Sequence, residues 1–226
     1  MYAIKHNNTI YIRQAETELQ KSRNDNMSLI EKKFSHGGNR FEGYICTFIE
    51  PEINDSSILG HQFCCVFKSR LNAHSLIISA EIDCVKNRNE TKQSLENMNF
   101  YEVKTCSHYC SFEKVARTKM IKWWAQCSLV GVEKIVCGYR NKHLIVDNIH
   151  EYSLGYILNK GKRYWSSDVC FNFLDKFLTF LKDCLSEENV LYSFYCTPKC
   201  EIRCRKEKTT KCEILPEWYK NSFAIM

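Results

Sequence analysis

Proline and glycine are scarce in this chain, three and eight of 226 residues. That excludes a disordered, collagen-like or linker-rich polymer. Apolar residues nowhere run on for the roughly 18 positions that a membrane-spanning helix needs, so no membrane partner is expected. The opening Met1-Tyr2-Ala3-Ile4-Lys5-His6 has no apolar stretch of the kind a secretory leader carries, which points to an intracellular, reducing setting. Neither sign of charge dominates: 32 Lys and Arg stand against 26 Asp and Glu, a net +6. Such mild basicity is compatible with a polyanionic partner and does not demand one.

What is present suffices for one sizeable core: 44% of the residues are hydrophobic and 13% aromatic. A single domain over residues 1–226 is expected. The 14 cysteines do not suit a disulfide scaffold, which is typically short and secreted. Half of them (Cys46, Cys64, Cys65, Cys127, Cys137, Cys170 and Cys184) lie in or beside apolar runs. There a free thiol behaves as a small hydrophobe.

Periodicity gives a coarse map. Residues 2–5 and 9–13 read as a hairpin around His6-Asn7-Asn8. Residues 26–49 read as mostly helical, interrupted at Gly37-Gly38. Residues 63–69 and 74–83 form a second hairpin about a turn at 70–73, and 100–105 a further strand. Residues 112–130 read as one helix stopped by Gly131. A third hairpin takes 134–140 and 143–149. The clearest amphipathic helix is 168–185, with Ser167 as N-cap and Cys170, Phe173, Leu174, Phe177, Phe180, Leu181 and Cys184 on one side. Strands at 190–196 and 200–204 follow. The class is α+β on a mixed or mainly antiparallel sheet.

The chemistry lies in two short patterns. Glu81-Ile82-Asp83 ends one strand and Glu102-Val103-Lys104 lies on the next. Side chains two apart on a strand share a face, so pairing of these strands would bring three carboxylates and one ammonium together. Such a patch is either a salt-bridged, solvated face or a site for a hard divalent cation, Mg²⁺, Mn²⁺ or Ca²⁺. Acid-x-acid followed by acid-x-Lys is the pattern of restriction-enzyme-like metal nucleases.

Six segments then share one order and spacing: Gly38-Asn39-Arg40-Phe41-Glu42, Phe63-Cys64, Glu81-Ile82-Asp83-Cys84, Tyr101-Glu102-Val103-Lys104-Thr105, Lys122-Trp123-Trp124-Ala125-Gln126 and Gly138-Tyr139-Arg140-Asn141. In this register the chain resembles the DXO/Rai family of decapping exoribonucleases, from about residue 9 to about 219. Leu215-Pro216-Glu217-Trp218-Tyr219 is similar to that family's C-terminal strand and tail.

The resemblance implies two twisted mixed β-sheets with flanking helices and a restriction-enzyme-like PD-(D/E)xK nuclease core. It implies two divalent ions, Mg²⁺ or Mn²⁺, in a pocket for RNA 5′ ends. Glu42, Glu81, Asp83 and Glu102 correspond to the family's carboxylate ligands, and the Val103 carbonyl completes the shell. Lys104 and Gln126, beside Glu81, correspond to residues that hold the scissile phosphate and the attacking water, and Cys64 to one that contacts the bound nucleotide. The implied activity is removal of non-standard or incomplete caps, NAD caps included, with 5′→3′ exoribonuclease activity, in mRNA quality control and decay. The implied partner is a 5′→3′ exoribonuclease and the implied location is the nucleus, with the cytoplasm as the alternative.

Two departures from the family pattern stand out. The sequence opens at the N-terminal hairpin, so the arginine motif that precedes it in the family lies outside it, as in a truncated gene model or a shortened paralogue. Ala80 stands where glycine usually precedes the acidic pair. The competing function is a catalytically impaired paralogue that binds RNA 5′ ends or a partner exonuclease. Weaker patterns complete the reading. Cys196, Cys200, Cys204 and Cys212 lack zinc-like spacing, and Cys200 and Cys204 are expected on one buried strand face. Cys106-x-His108-x-Cys110 reads as a loop. One of Trp123 and Trp124 is expected in the core and the other at its rim. The basic run 205–211 reads as a solvated turn.

Overall fold

The structure, a computed structural model, describes residues 1–46, 62–208 and 213–222. In chain order its elements are β1 (Tyr2–His6), β2 (Thr9–Arg13), α1 (Glu18–Asp25), α2 (Leu29–Cys46), β3 (Cys64–Leu71), β4 (His74–Glu81), β5 (Cys84–Val85), β6 (Phe100–Ser107), α3 (Phe112–Thr118) and α4 (Met120–Ser128). There follow β7 (Lys134–Arg140), β8 (Val146–Ser153), α5 (Leu154–Gly161), α6 (Ser167–Cys184), β9 (Leu191–Cys196), β10 (Ile202–Lys206) and α7 (Glu217–Ser222). Residues 1–27 and 173–226 group into one compact unit and residues 28–172 into another.

The first unit carries an antiparallel sheet in the order β10-β9-β1-β2. Asn7 and Asn8 both take positive φ, 48° and 57°, which is the geometry of a two-residue hairpin turn and one that asparagine tolerates well. Leu181 and Leu185 pack there with Ala3, Tyr192 and Phe194. Its α1 escaped the periodicity because it buries nothing. A capping box holds it instead: Thr17 Oγ1 accepts from the Gln20 amide, and the Gln20 side chain accepts from the Thr17 amide.

The second unit holds the β3–β4 hairpin and a mixed sheet in the order β5-β6-β7-β8. There β6 and β7 run parallel, with β5–β6 and β7–β8 antiparallel. A parallel pair needs a long crossover, and α3 and α4 supply it. Cys106, Val115, Met120, Trp123, Trp124, Cys127, Ile135, Cys137 and Ile157 form its buried core. Fully burying an aliphatic side chain contributes about 1.5–3 kcal/mol each. Helix α2 starts at the mutual Ser28–Glu31 cap and lays Phe41 on Gly138, where an added Cβ would stand 2.5 Å from the ring. Glycine at 138 is thus a matter of close approach.

The α+β class holds, and several expected elements change. Helix α2 runs unbroken through Gly37-Gly38 to Cys46; the expected residues 47–49 lie outside the described ones. The helix expected over 112–130 divides at Lys119, where the Lys122 amide reaches back only three residues to the Lys119 carbonyl and tightens the turn. The strand expected from 143 begins at Val146, because the Asn141 side chain accepts from the amides of His143 and Ile145 and closes a loop. That strand continues to Ser153, whose hydroxyl caps α5, a helix the sequence pattern did not reveal.

Cys200 sits in a turn at φ 61°, so it does not share a strand face with Cys204, and Cys212 lies outside the described residues. The expected C-terminal strand is instead helix α7 after Pro216. Trp123 and Trp124 are both buried. Cys64 is exposed rather than core, and all 13 described cysteines are free thiols. Ser166, one residue before the expected cap, accepts from the Val169 amide at the start of α6. Among the described residues no helix is long and apolar enough to cross a membrane.

Candidate active site

A cavity of about 670 Å³ opens within the second unit, lined by four groups of residues and by Gln62, just ahead of β3. Helix α2 contributes Asn39, Glu42, Gly43 and Cys46. These recur at the i, i+3, i+4, i+7 spacing of one helix face. The end of β4 and the link to β5 supply Ile78, Ala80, Glu81 and Asp83, and β6 supplies Glu102, Val103 and Lys104. The C-terminal end of α4 adds Ala125 and Gln126, with Leu129 and Val130 just beyond it. The lining is thus mixed, with acidic and apolar side chains together.

The acids come together, by a route other than the expected one. Strand β4 pairs with β3 and not with β6; the chain leaves β4 after Glu81, and the short β5 pairs with β6 through Cys84 and Tyr101. Asp83 lies in the link between them, and its Oδ2 accepts a 2.8 Å hydrogen bond from the Val103 amide. This pins the acidic turn to β6. On β6 itself, strand alternation puts Glu102 and Lys104 on one face, where the Lys104 ammonium donates to Glu102 Oε1. The Cys46 thiol donates to the Asp83 carbonyl at 2.9 Å.

Four carboxylates against one ammonium leave an excess of negative charge. Burial, then the neighbouring Asp83 and Glu81, pushes Glu42 up to about 7, with Lys104 opposing. Burial raises Glu102 as well, against the Lys104 hydrogen bond that holds it down. Raised in this way, Glu42 holds its proton more readily than a free carboxyl unless a cation takes its place.

The donor set fits a hard divalent ion, which prefers oxygen ligands. Among the described residues no three His, Cys, Asp or Glu side chains already close around one point as a finished metal cage. Asp83 faces the Val103 amide and Glu102 faces Lys104, so two of the acids hold protein partners instead.

Of the residues singled out from the sequence, Glu42, Glu81, Asp83, Glu102, Val103, Lys104 and Gln126 all line the cavity. Cys64 does not. It stands opposite Glu81 in the β3–β4 register and is exposed. Asn39, Cys46 and Gln62 line the cavity as well. Asn39 and Cys46 follow from Glu42 by helical spacing alone, whereas Gln62 carried no pattern. His108 pairs with Asp147 at 2.5 Å and Cys106 is buried in the core, so that trio is structural.

Residues 1–220 match the family model described as RAI1 like PD-(D/E)XK nuclease. The decapping and exoribonuclease protein of Xenopus laevis is 30% identical over 225 residues, which cover 95% of this chain and 56% of that protein. The chain spans about half the length of the curated relatives it matches across most of its own. Among solved structures, Scheffersomyces stipitis Rai1 in complex with (3'-NADP)+ and calcium ion gives a TM-score of 0.75 at 17% identity, over 97% of this chain and 66% of that one. Candida albicans Rai1 in complex with pU5-Mn2+ gives 0.68 at 18% identity, over 91% and 62%. The structural likenesses speak for the fold. On the family model, the chain belongs to the RAI1-like PD-(D/E)XK nucleases.

Proposed function

We propose that this member of the family is a divalent-metal-dependent hydrolase of RNA 5′ ends, which removes non-standard or incomplete caps, NAD caps among them, and degrades RNA in the 5′→3′ direction. The observation that carries the reading is one cavity holding Glu42, Glu81, Asp83, Glu102, Lys104 and Gln126. A nuclear location and a partner exoribonuclease belong to the same proposal. The relatives support it: one solved Rai1 holds (3'-NADP)+ with calcium and another holds pU5 with Mn²⁺.

Glu42, Glu81, Asp83 and Glu102 would hold the ion or ions, with the Val103 carbonyl as a further donor. A bound divalent ion supplies a Lewis acid that polarises a phosphate and makes a water more acidic. Lys104 contributes a positive charge where negative charge develops on the scissile phosphate. It is held ready by Glu102, whose own charge the cation offsets. Gln126 offers both a donor and an acceptor from one amide, so it can orient a water and a phosphate oxygen together. Ile78, Ala80, Leu129 and Val130 add apolar lining to the same cavity, a surface on which a base or ribose would pack.

The test is incubation of the chain with 5′-NAD-capped and 5′-monophosphate RNA in Mn²⁺ and, separately, in a chelator. Cleavage is expected in Mn²⁺ and none in the chelator. RNA that is bound but intact in both would favour a non-catalytic end-binding protein.

A further inference from the structure

We propose that Cys46 and Cys84 form a reversible redox pair, and that their oxidation to a disulfide weakens divalent-cation binding in the acidic cavity. The inference rests on reading that cavity as a cation site.

The placement of the two residues carries it. Cys46 is the last residue of α2, one turn beyond Glu42 on the cavity face, and it lines the cavity. Cys84 opens β5 and directly follows Asp83. Cys46 Sγ lies 2.9 Å from the carbonyl of Asp83, the residue bonded to Cys84, so the two thiols sit on touching segments; both residues are half-buried and both are free. Cys46 also donates to the Asp83 carbonyl, and Cys84 to the Val85 carbonyl at 3.3 Å. The two thiols thus join the segments that carry two of the four acids.

The cavity gives a small oxidant such as hydrogen peroxide a route to Cys46. Peroxide oxidises one thiol to a sulfenic acid and releases one water. The second thiol attacks that sulfur and expels another water. The O–O bond and two S–H bonds break, one S–S bond forms, and the protein gives up two electrons and two protons. A thiol reductant reverses the step by exchange.

The bond would draw the sulfurs to about 2.05 Å and remove the S–H that supports the Asp83 carbonyl. Glu42 and Asp83, four residues and one residue away along the chain, would shift with their segments. Cation sites built from carboxylates depend on ligand number and placement, so affinity falls. A second pair of thiols, Cys184 and Cys204, lies in the first unit. It packs against the apolar cluster of the first unit, and it serves as an internal control.

The experiment compares the whole chain reduced with dithiothreitol and treated with stoichiometric peroxide. Disulfides are mapped by peptide mass spectrometry after alkylation, and Mn²⁺ affinity is read by calorimetry. A Cys46–Cys84 bridge is expected, with at least about tenfold weaker Mn²⁺ binding that dithiothreitol restores. Cys84→Ser and Cys84→Ala should bind Mn²⁺ like the reduced chain before and after peroxide, while the double change Cys184→Ser with Cys204→Ser should protect nothing. The absence of this bridge while other cysteines oxidise overturns the proposal. So does a bridge that leaves affinity unchanged, or a Cys84 variant that stays equally sensitive. A reduced chain that binds no Mn²⁺ defeats the cation reading and the regulatory half with it, whereas the mapped bridge still decides the pairing.

Discussion

One short helix has two unlike faces. Met120, Trp123, Trp124 and Cys127 of α4 turn into the core, where Trp124 meets Trp165 and Phe171 at ring separations of 5.4 and 5.1 Å. Ala125 and Gln126, with Leu129 just past its end, border the acidic cavity instead. In the core the polar atoms find partners: the Trp165 indole donates to the Ala116 carbonyl at 3.0 Å. In the cavity four carboxylates share one lysine. A stretch that serves only stability has no use for so many like charges in one cavity, so the contrast marks where this unit keeps its chemistry.

Substitutions on the two faces should separate accordingly. Trp124→Ala should cost about 3–5 kcal/mol of stability, as for other large aromatic truncations in cores. Gln126→Ala, two residues further along the helix, should stay within roughly 0.5 kcal/mol. Chemical denaturation of both variants measures this, and equal losses would place Gln126 in the core after all. On the cavity side, Asp83→Asn keeps an acceptor for the Val103 amide, and Glu102→Gln keeps its volume. Each should leave the melting temperature nearly in place and abolish Mn²⁺ binding by calorimetry. Binding that survives in both would remove them from the ligand set.

A smaller effect concerns pH. Glu42, ordinarily near 4.5, is raised to about 7 in the fold, so between these values the folded chain holds a proton that the unfolded chain has released. The contribution is present at the lower pH and is lost as pH rises through 7. In chelator, the melting temperatures of the parent and Glu42→Gln should nearly coincide at pH 5, with the variant pulling ahead by pH 8. A gap that does not change with pH would show that burial and the neighbouring Asp83 and Glu81 do not raise Glu42.

Much of this was legible in the chain. The Asn7-Asn8 turn announced its hairpin, and the spacing of Glu81, Asp83, Glu102 and Lys104 announced an acidic cluster. The convergence was readable, its route was not. Direct pairing of two strands is the simplest way to join the patterns. The chain instead leaves β4 after Glu81 and restarts at Cys84, a break that depends on the Asp83–Val103 hydrogen bond and so on tertiary contact. Helix α5 went unseen because its start depends on the Ser153 hydroxyl at the end of a strand. Cys46 looks like apolar filler because a cysteine in an apolar run usually is one; only its spacing from Glu42 distinguishes it.

The central claim is that the lysine and the carboxylates form one hydrolytic centre, and Lys104→Ala tests it most directly. The change removes the ammonium and leaves every acid, so Mn²⁺ should bind at least as tightly as to the parent chain. Cleavage of 5′-NAD-capped or 5′-monophosphate RNA in Mn²⁺ should fall by at least about 10²-fold, the scale of one electrostatic or proton-transfer group. Binding of the same RNA should stay within a few fold, since the remaining basic surface still attracts its phosphates. Undiminished cleavage by Lys104→Ala, or a parent chain that binds the RNA and never cuts it, would contradict the account.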